Sequence, residues 1–253
     1  MATYKKKASK SKSKGFDSSK NDSTTAEVFE TLDVNASKTE LIVSKYQNYI
    51  IGFVGLTVFA VLGYLGYENL IFQPKSDEAN NELFTAQNYF NKALSDTENS
   101  DSLFLLSLNG GDGKYGFLDI ADSYSGTDAG NLANYYAGVS YLQMKQYDKA
   151  IEFLSKFNSD DEMLGPVALG AIGDAFSDIN QQDVALEFYE KAANKKSNDF
   201  TTPLFLYKAA QTAMSLEKYS KAEQLFTEIK ENYSKSDQGK DIEKFINAAK
   251  YAN

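Results

Sequence analysis

The chain has 253 residues and a formal net charge of −9, with no Cys, His or Trp; all 26 of its basic residues are Lys. The absence of Cys excludes disulfides and thiolate chemistry, and the absence of His removes the commonest general base and transition-metal ligand. Without Arg there is no bidentate phosphate fork. The composition argues against most enzyme classes, and we expect no cofactor and no metal.

Residues 1–24 form a basic tail. The first 20 residues contain seven Lys and one Asp, whereas residues 73–253 contain 17 Lys and 28 acidic residues. The tail has too few apolar residues to build a core, so we expect it to be disordered. Such a tail suits a topology signal or solubilising arm, and it leaves contact with a ribosome or with anionic lipid open. The acidic body argues against nucleic acid as the main partner.

Residues 25–45 separate the tail from an apolar run. Their apolar positions fit short amphipathic helices that would lie on the inner leaflet or contact a cytoplasmic partner. A plain helical extension of the apolar run explains the same pattern equally well.

The apolar run begins at Tyr46, and residues 46–67 are uncharged. A helix of this length spans about 33 Å, enough for a bilayer core of about 30 Å. Tyr residues cluster near both ends, as in an aromatic belt. We predict one transmembrane helix over residues 46–72. The Lys excess before it predicts a cytoplasmic N-terminus and a body on the other side of the membrane.

Glycines recur along this predicted helix at spacings of three, eight and three. At 100° per residue they fall within about 80° of one another. Such a stripe allows close approach of a second helix, although glycine is also simply common in membrane helices. The predicted helix-packing face consists of Gly52, Gly55, Phe59, Gly63 and Gly66.

Several pieces flank the central part of the body. Residues 77–96 predict a helix that continues the membrane helix after a break at Pro74, with Leu83, Ala86, Phe90 and Leu94 on one buried stripe. The glycine-rich segment 107–116 lacks the spacing of a phosphate-binding loop and predicts a turn. Residues 116–124 predict the second helix of an irregular leading repeat, and residues 237–252 predict a C-terminal cap.

Residues 131–157 align with residues 166–192 at a period of 35, and a third copy at 203–229 follows after 37. Small residues stand where two helices would cross, and large residues stand beside them. The pattern resembles the tetratricopeptide repeat, a helix pair of about 34 residues. The resemblance implies an all-α fold in which a single transmembrane helix precedes an α-solenoid of helix pairs over residues 76–253. The predicted packing positions are Gly138, Tyr141, Ala150, Gly173, Phe176, Ala185, Ala210, Ala222 and Phe226.

In this family the leading helix of each pair lines a concave face. Tyr on such a face offers rigid contact area to a peptide, although the same Tyr residues could pack within the solenoid. Only Lys208 is basic among the positions that clamp a C-terminal carboxylate in some members, so basic or aromatic extended segments are the better candidates. The predicted groove residues are Leu132, Tyr135, Val139, Asp174, Asp178, Tyr207 and Gln211, with Leu142, Val167, Gly170 and Leu204 as further inward positions.

The order of Lys-rich tail, single span and acidic repeat body, with the runs at 116–142 and 155–179, is similar to the ancillary subunit of the bacterial Sec translocon in a Bacteroidetes-type branch. The resemblance implies a non-enzymatic accessory at the inner membrane of a bacterium, with periplasmic repeats, that helps hand over exported proteins. Its partners would be Sec translocon subunits, periplasmic chaperones or exported chains. The alternative is a scaffold for envelope or outer-membrane assembly or secretion machinery. Catalysis would have to use carboxylates such as Asp174 and Asp178, which solvated helix charge explains better.

Overall fold

The computed structural model describes the backbone of residues 24–96 and 98–252, and the side chains of residues 40, 43–96 and 98–252. These residues form helices joined by short loops, with no strand in the described part. The chain divides into two compact units, Met1–Leu65 and Gly66–Asn253. The tail that we predict to be disordered lies outside the described residues, apart from Thr24.

Helix α1 spans Thr24–Tyr67, so one helix covers residues 25–45 and most of the predicted span. The large apolar side chains between Tyr46 and Tyr67 are exposed. One helical stretch, Val43–Ser95, is long and apolar enough to cross a membrane by length and composition; its most apolar window has a mean hydropathy of 2.0 and is 0% buried. An exposed apolar surface of this size is unusual in a soluble monomer and marks contact with lipid or with another protein.

A π-helical turn, Glu68–Phe72, precedes Pro74. The Gln73 N–H bonds to the Glu68 carbonyl, and helix α2 then spans Gln73–Ser95 with the proline in its first turn. The predicted break at Pro74 is wrong, because helical geometry continues through a wider turn. The wider turn accommodates Pro74, which has no N–H to donate and whose ring would clash with the preceding turn of a regular α-helix.

Helix α2 buries one side, but the predicted stripe is wrong at its last residue. Leu83, Ala86 and Phe90 are buried as expected, whereas Leu94 is 55% exposed and Ala93 is buried in its place. The stripe advances by three residues after Phe90 instead of four. The Ser100 hydroxyl donates to the Ala93 carbonyl, 3.0 Å away.

Helices α3, Ser100–Asn109, and α4, Phe117–Ser123, complete an irregular leading part. Helix α3 was not predicted from the sequence, because it is short and apolar on several sides. The glycine-rich segment between α3 and α4 is a turn, and its Tyr115 N–H donates to the Glu82 carboxylate, 3.2 Å away. The Tyr115 N–H is therefore already hydrogen-bonded to a carboxylate of the same chain.

Aromatic rings join the leading part to the repeats. Phe90 on α2 lies 5.1 Å, between ring centroids, from Tyr136, and Phe117 on α4 stacks on the same Tyr136 at 5.1 Å. Phe104 on α3 packs edge-on against Phe90 at 5.7 Å. Aromatic pairs at these distances add about 0.5–1.5 kcal/mol each beyond their buried area. The leading part and the first repeat thus share one core.

Three helix pairs follow. The first is α5, Asp128–Gln143, with α6, Tyr147–Lys156; the second is α7, Leu164–Asp178, with α8, Gln182–Lys195; the third is α9, Thr201–Ser215, with α10, Tyr219–Asn232. Pro166 and Pro203 lie in the first turns of α7 and α9, where helical N–H groups have no intrahelical acceptor. Helix α11, Ile242–Ala252, packs on α10 and covers the end of the core. The fold is all-α, as the sequence predicts.

Candidate protein-binding surface

The leading helices α5, α7 and α9 contact one another in sequence, and we call their remaining surface the leading-helix face. All seven predicted groove residues lie on these three helices. Asp178 and Gln211 are exposed, and the other five are half-buried: Leu132, Tyr135, Val139, Asp174 and Tyr207. The face is thus only partly open to a partner.

The two predicted groove tyrosines pack within the fold. The Tyr135 ring lies 5.2 Å from Phe157 and 5.4 Å from Tyr136, and burial raises the pKa of Tyr135. The Tyr207 ring lies 5.3 Å from Phe245 on the cap helix α11. Both tyrosines are half-buried against neighbouring rings, so they mainly stabilise the array.

Gly170 does not line a groove. It is buried, and a Cβ atom at this position would overlap the Phe205 ring of the next leading helix. The inward placement of Gly170 is therefore wrong: its missing side chain lets α7 and α9 approach each other.

Asp174 lies at the junction of the second and third repeats. Its carboxylate accepts the Tyr189 hydroxyl at 2.7 Å and the Lys208 ammonium at 2.6 and 2.8 Å. Burial, and then the hydrogen bond to Asp174, raise the pKa of Tyr189. The Lys208 ammonium also lies 5.6 Å from the centroid of the Tyr189 ring. Both oxygens of Asp174 are engaged, so this carboxylate connects repeats and is not a free acid or base.

Asp178 is the more accessible carboxylate. It lines a shallow cavity of about 400 Å³ together with Tyr147 and Lys145. Partial desolvation, and then a hydrogen bond to Asp178, raise the pKa of Tyr147. Among the predicted groove residues, Asp178 and Gln211 are the two exposed polar groups.

The predicted packing residues lie at the helix crossings. A Cβ atom at Gly138 would lie 2.5 Å from Leu154 Cγ, and one at Gly173 would lie 2.7 Å from a ring carbon of Tyr189. Tyr141 packs on Phe153. The remaining six are the fully buried Ala150, Ala185, Ala210 and Ala222, the buried Phe226, and Phe176, whose ring stacks on Phe188.

The predicted helix-packing face of α1 is open. A Cβ atom at Gly52, Gly55, Gly63 or Gly66 would meet no other heavy atom within 4 Å, and Phe59 is exposed. These positions have room for a neighbouring helix.

Sequence reasoning missed the residues that fix the inter-repeat loops. The Asp161 carboxylate accepts the N–H groups of Met163 and Leu164, and the Asn198 side chain accepts those of Phe200 and Thr201. The backbone hydrogen bonds lower the pKa of Asp161. Asp161 and Asn198 are 37 residues apart, the spacing of these repeats, and both are typical of helix starts, so the period together with capping preference could have found them.

The described residues contain no group of three or more acidic side chains arranged to hold a metal ion. Asp174 is fully paired and Asp161 caps a helix, so the residues that the structure describes show no acid–base pair in an enclosed pocket. What it shows is a stack of helix pairs with a partly open leading-helix face.

The fold places the chain in the class of all-α repeat proteins built from helix pairs. Residues 132–160, which include most of α5 and all of α6, match the family model described as tetratricopeptide repeat. Two crystal structures, of Podosopora anserina putative kinesin light chain nearly identical TPR-like repeats and of a single-residue variant of them, are similar at 12% identity and a TM-score of 0.49. Each comparison covers 70% of this chain, and 86% or 87% of the other. No curated protein matches the chain.

Proposed function

We propose that this chain is a membrane-tethered, non-enzymatic repeat protein that binds other proteins, with a cytoplasmic N-terminus and periplasmic repeats at a bacterial inner membrane. One observation supports it above the rest: the chain combines an exposed apolar helix with three stacked helix pairs. A helix-pair array presents a long surface whose side chains vary without disturbing the core, which suits protein binding. The Lys excess at the N-terminus supports the orientation.

We infer that the partners belong to the Sec translocon and that the chain assists the handover of exported proteins. The order of tail, span and acidic repeats supports this role, since it is similar to the ancillary subunit. The open glycine positions on α1 leave room for a translocon helix. Asp178 and Gln211 would contact exported chains or chaperones.

Photo-crosslinking in living cells tests this function. Benzoylphenylalanine is placed at Phe59, Asp178 or Gln211 of the full chain, and adducts are identified by mass spectrometry. A matched control carries the probe at Gln224, an exposed position on the trailing helix α10. We expect translocon subunits at Phe59, and exported chains or chaperones at Asp178 and Gln211 above the Gln224 background. Crosslinks to envelope-assembly components at Asp178 and Gln211, with only lipid at Phe59, would contradict the translocon role and favour the assembly scaffold.

A further inference from the structure

A cleft of about 830 Å³ lies at one edge of the repeat array, and neither Asp178 nor Gln211 lines it. The starts of α7 and α9 form one side, and the loop after α10 forms the other. We call it the edge cleft, and its lining residues are Met163, Val167, Asp199, Phe200, Thr201, Leu204 and residues 232–238. Its volume falls within the range of about 300–1,000 Å³ that is typical of ligand sites.

The edge cleft concentrates the exposed apolar surface of the repeats. Met163 is 45% exposed and Phe200 is 76% exposed, and no other large hydrophobic side chain between residues 128 and 232 is exposed. The two residues occupy the same position in successive repeats, directly before α7 and α9. Their common register places both apolar side chains on one edge. A local apolar patch on an otherwise polar surface is typical of an interaction site.

Hydrogen bonds between the loops form this cleft in advance. The Asn198 amide donates to the Glu162 carbonyl at 2.8 Å, which links the loop before α9 to the loop before α7. The hydroxyls of Ser197 and Tyr233 lie 2.9 Å apart, which links the loop before α9 to the loop after α10. A preformed site avoids the entropy cost of ordering its walls when a ligand binds.

The charge around the edge cleft favours a ligand in which a basic residue stands next to an apolar one. Glu162 and Asp199 are exposed beside Met163 and Phe200, and neither makes a salt bridge with any described residue. Lys235 lines the opposite side, where Asp237 already pairs with Lys240 at 2.6 Å. The free carboxylates therefore lie on the same side as the apolar side chains.

We propose that the edge cleft binds an extended segment of another protein in which aromatic or aliphatic side chains are flanked by Lys or Arg. The apolar side chain packs between Met163 and Phe200, and the cation pairs with Glu162 or Asp199. The inference rests on the proposed function in treating the repeats as a protein-binding module, but it assigns binding to the edge cleft and not to Asp178 and Gln211. Aromatic anchors surrounded by polar contacts supply most of the affinity at such sites.

Fluorescence anisotropy with a defined probe tests the edge cleft. The probe is a fluorescein-labelled nonapeptide of Gly and Ser around a central Lys-Phe-Leu-Lys block, and the full chain is held in phosphatidylcholine nanodiscs. We expect Phe200→Ser and Met163→Ser each to weaken binding about tenfold or more. Tyr251→Ser is the matched control, because Tyr251 is an aromatic residue that is 82% exposed outside the cleft. A second probe with Glu in place of both Lys should bind more weakly than the first.

The outcomes separate this inference from the proposed function. If the probe binds but only Asp178→Asn or Gln211→Ala weakens it, the edge-cleft site is overturned and the leading-helix face remains the binding surface. Absence of probe binding to the unmutated chain also overturns the inference, while the in-cell crosslinks at Asp178 and Gln211 still test the function. A crosslink from benzoylphenylalanine at position 200 to a second copy of the chain would show that the cleft serves self-association. This result would also overturn the inference. Circular dichroism of each variant checks that loss of binding is not loss of folding.

Discussion

At the scale of single residues, the turn inside each helix pair is closed by a residue with a left-handed backbone. Lys145, Asn180 and Glu217 have φ values of 57°, 60° and 59°. In the first pair the Gln146 N–H donates to the Tyr141 carbonyl, and the two other turns repeat this bond. This is the Schellman motif, in which glycine is the preferred residue because a side chain destabilises the left-handed conformation.

Glycine at these turns should therefore stabilise the protein. We expect Lys145→Gly and Glu217→Gly each to raise the free energy of unfolding by about 0.5–1 kcal/mol, and Asn180→Gly to raise it less, because Asn tolerates the left-handed region. Urea unfolding of the full chain, followed by circular dichroism, measures the change. Gln181→Gly is the control, since Gln181 is exposed and its φ of −94° gains nothing from glycine. Lower stability in both the Lys145 and Glu217 variants would contradict the strain at these turns.

The glycines at the helix crossings should show the opposite response. In Gly138→Ala the new methyl group would lie 2.5 Å from Leu154 Cγ and 2.9 Å from the Leu154 backbone nitrogen. We expect this variant to lose about 1–3 kcal/mol of unfolding free energy, as is usual for overpacking. Gln211→Ala, at an exposed helical position, should change stability by less than about 0.5 kcal/mol. An unchanged urea midpoint for Gly138→Ala would mean that α5 and α6 are not in close contact there.

At the scale of helices, the sequence predicts the helix pairs, but it does not predict several of the contacts that these helices make. Glycine and alanine at fixed spacing predict the helix crossings because close approach excludes larger side chains. The exposure of Leu94 and the covering of Tyr207 by α11 depend on neighbours that are distant in the chain, and no local pattern encodes them. The edge cleft is also not evident locally. The sequence around Met163 and around Phe200 is ordinary, and only the repeat period places the two residues on one edge.

The hydrogen bond between Tyr189 and Asp174 should make the stability of the chain depend on pH. The pKa of Tyr189 is raised by burial and by Asp174, so the neutral form is favoured in the folded state. Its contribution is therefore complete below the ordinary tyrosine pKa of about 10 and decreases as the pH rises above it. We expect the stability advantage of the unmutated chain over Tyr189→Phe to shrink between about pH 9 and pH 11. A constant difference across this range in urea unfolding would show that Tyr189 ionises as freely in the folded state as in the unfolded chain.

At the scale of the whole molecule, charge and hydropathy divide the chain into a basic tail, an apolar helix and an acidic body. The sequence alone predicts this division, because each property is a sum over many residues. It does not identify partners, since the leading-helix face and the edge cleft differ from other surfaces by only a few side chains. The proposed role therefore depends first on the position of the repeats relative to the membrane.

A cysteine-accessibility experiment tests the membrane topology most directly, because the chain has no cysteine of its own. Single cysteines are introduced by Gln211→Cys in the repeats and Ser18→Cys in the tail, and a membrane-impermeant maleimide is added to cells whose outer membrane has been permeabilised. The account predicts labelling at position 211 while the inner membrane is intact, and labelling at position 18 only after the inner membrane is disrupted. Protection at position 211, with labelling at position 18, would invert the topology and contradict a periplasmic role. Release of the unlabelled chain into the soluble fraction would contradict the membrane anchor itself.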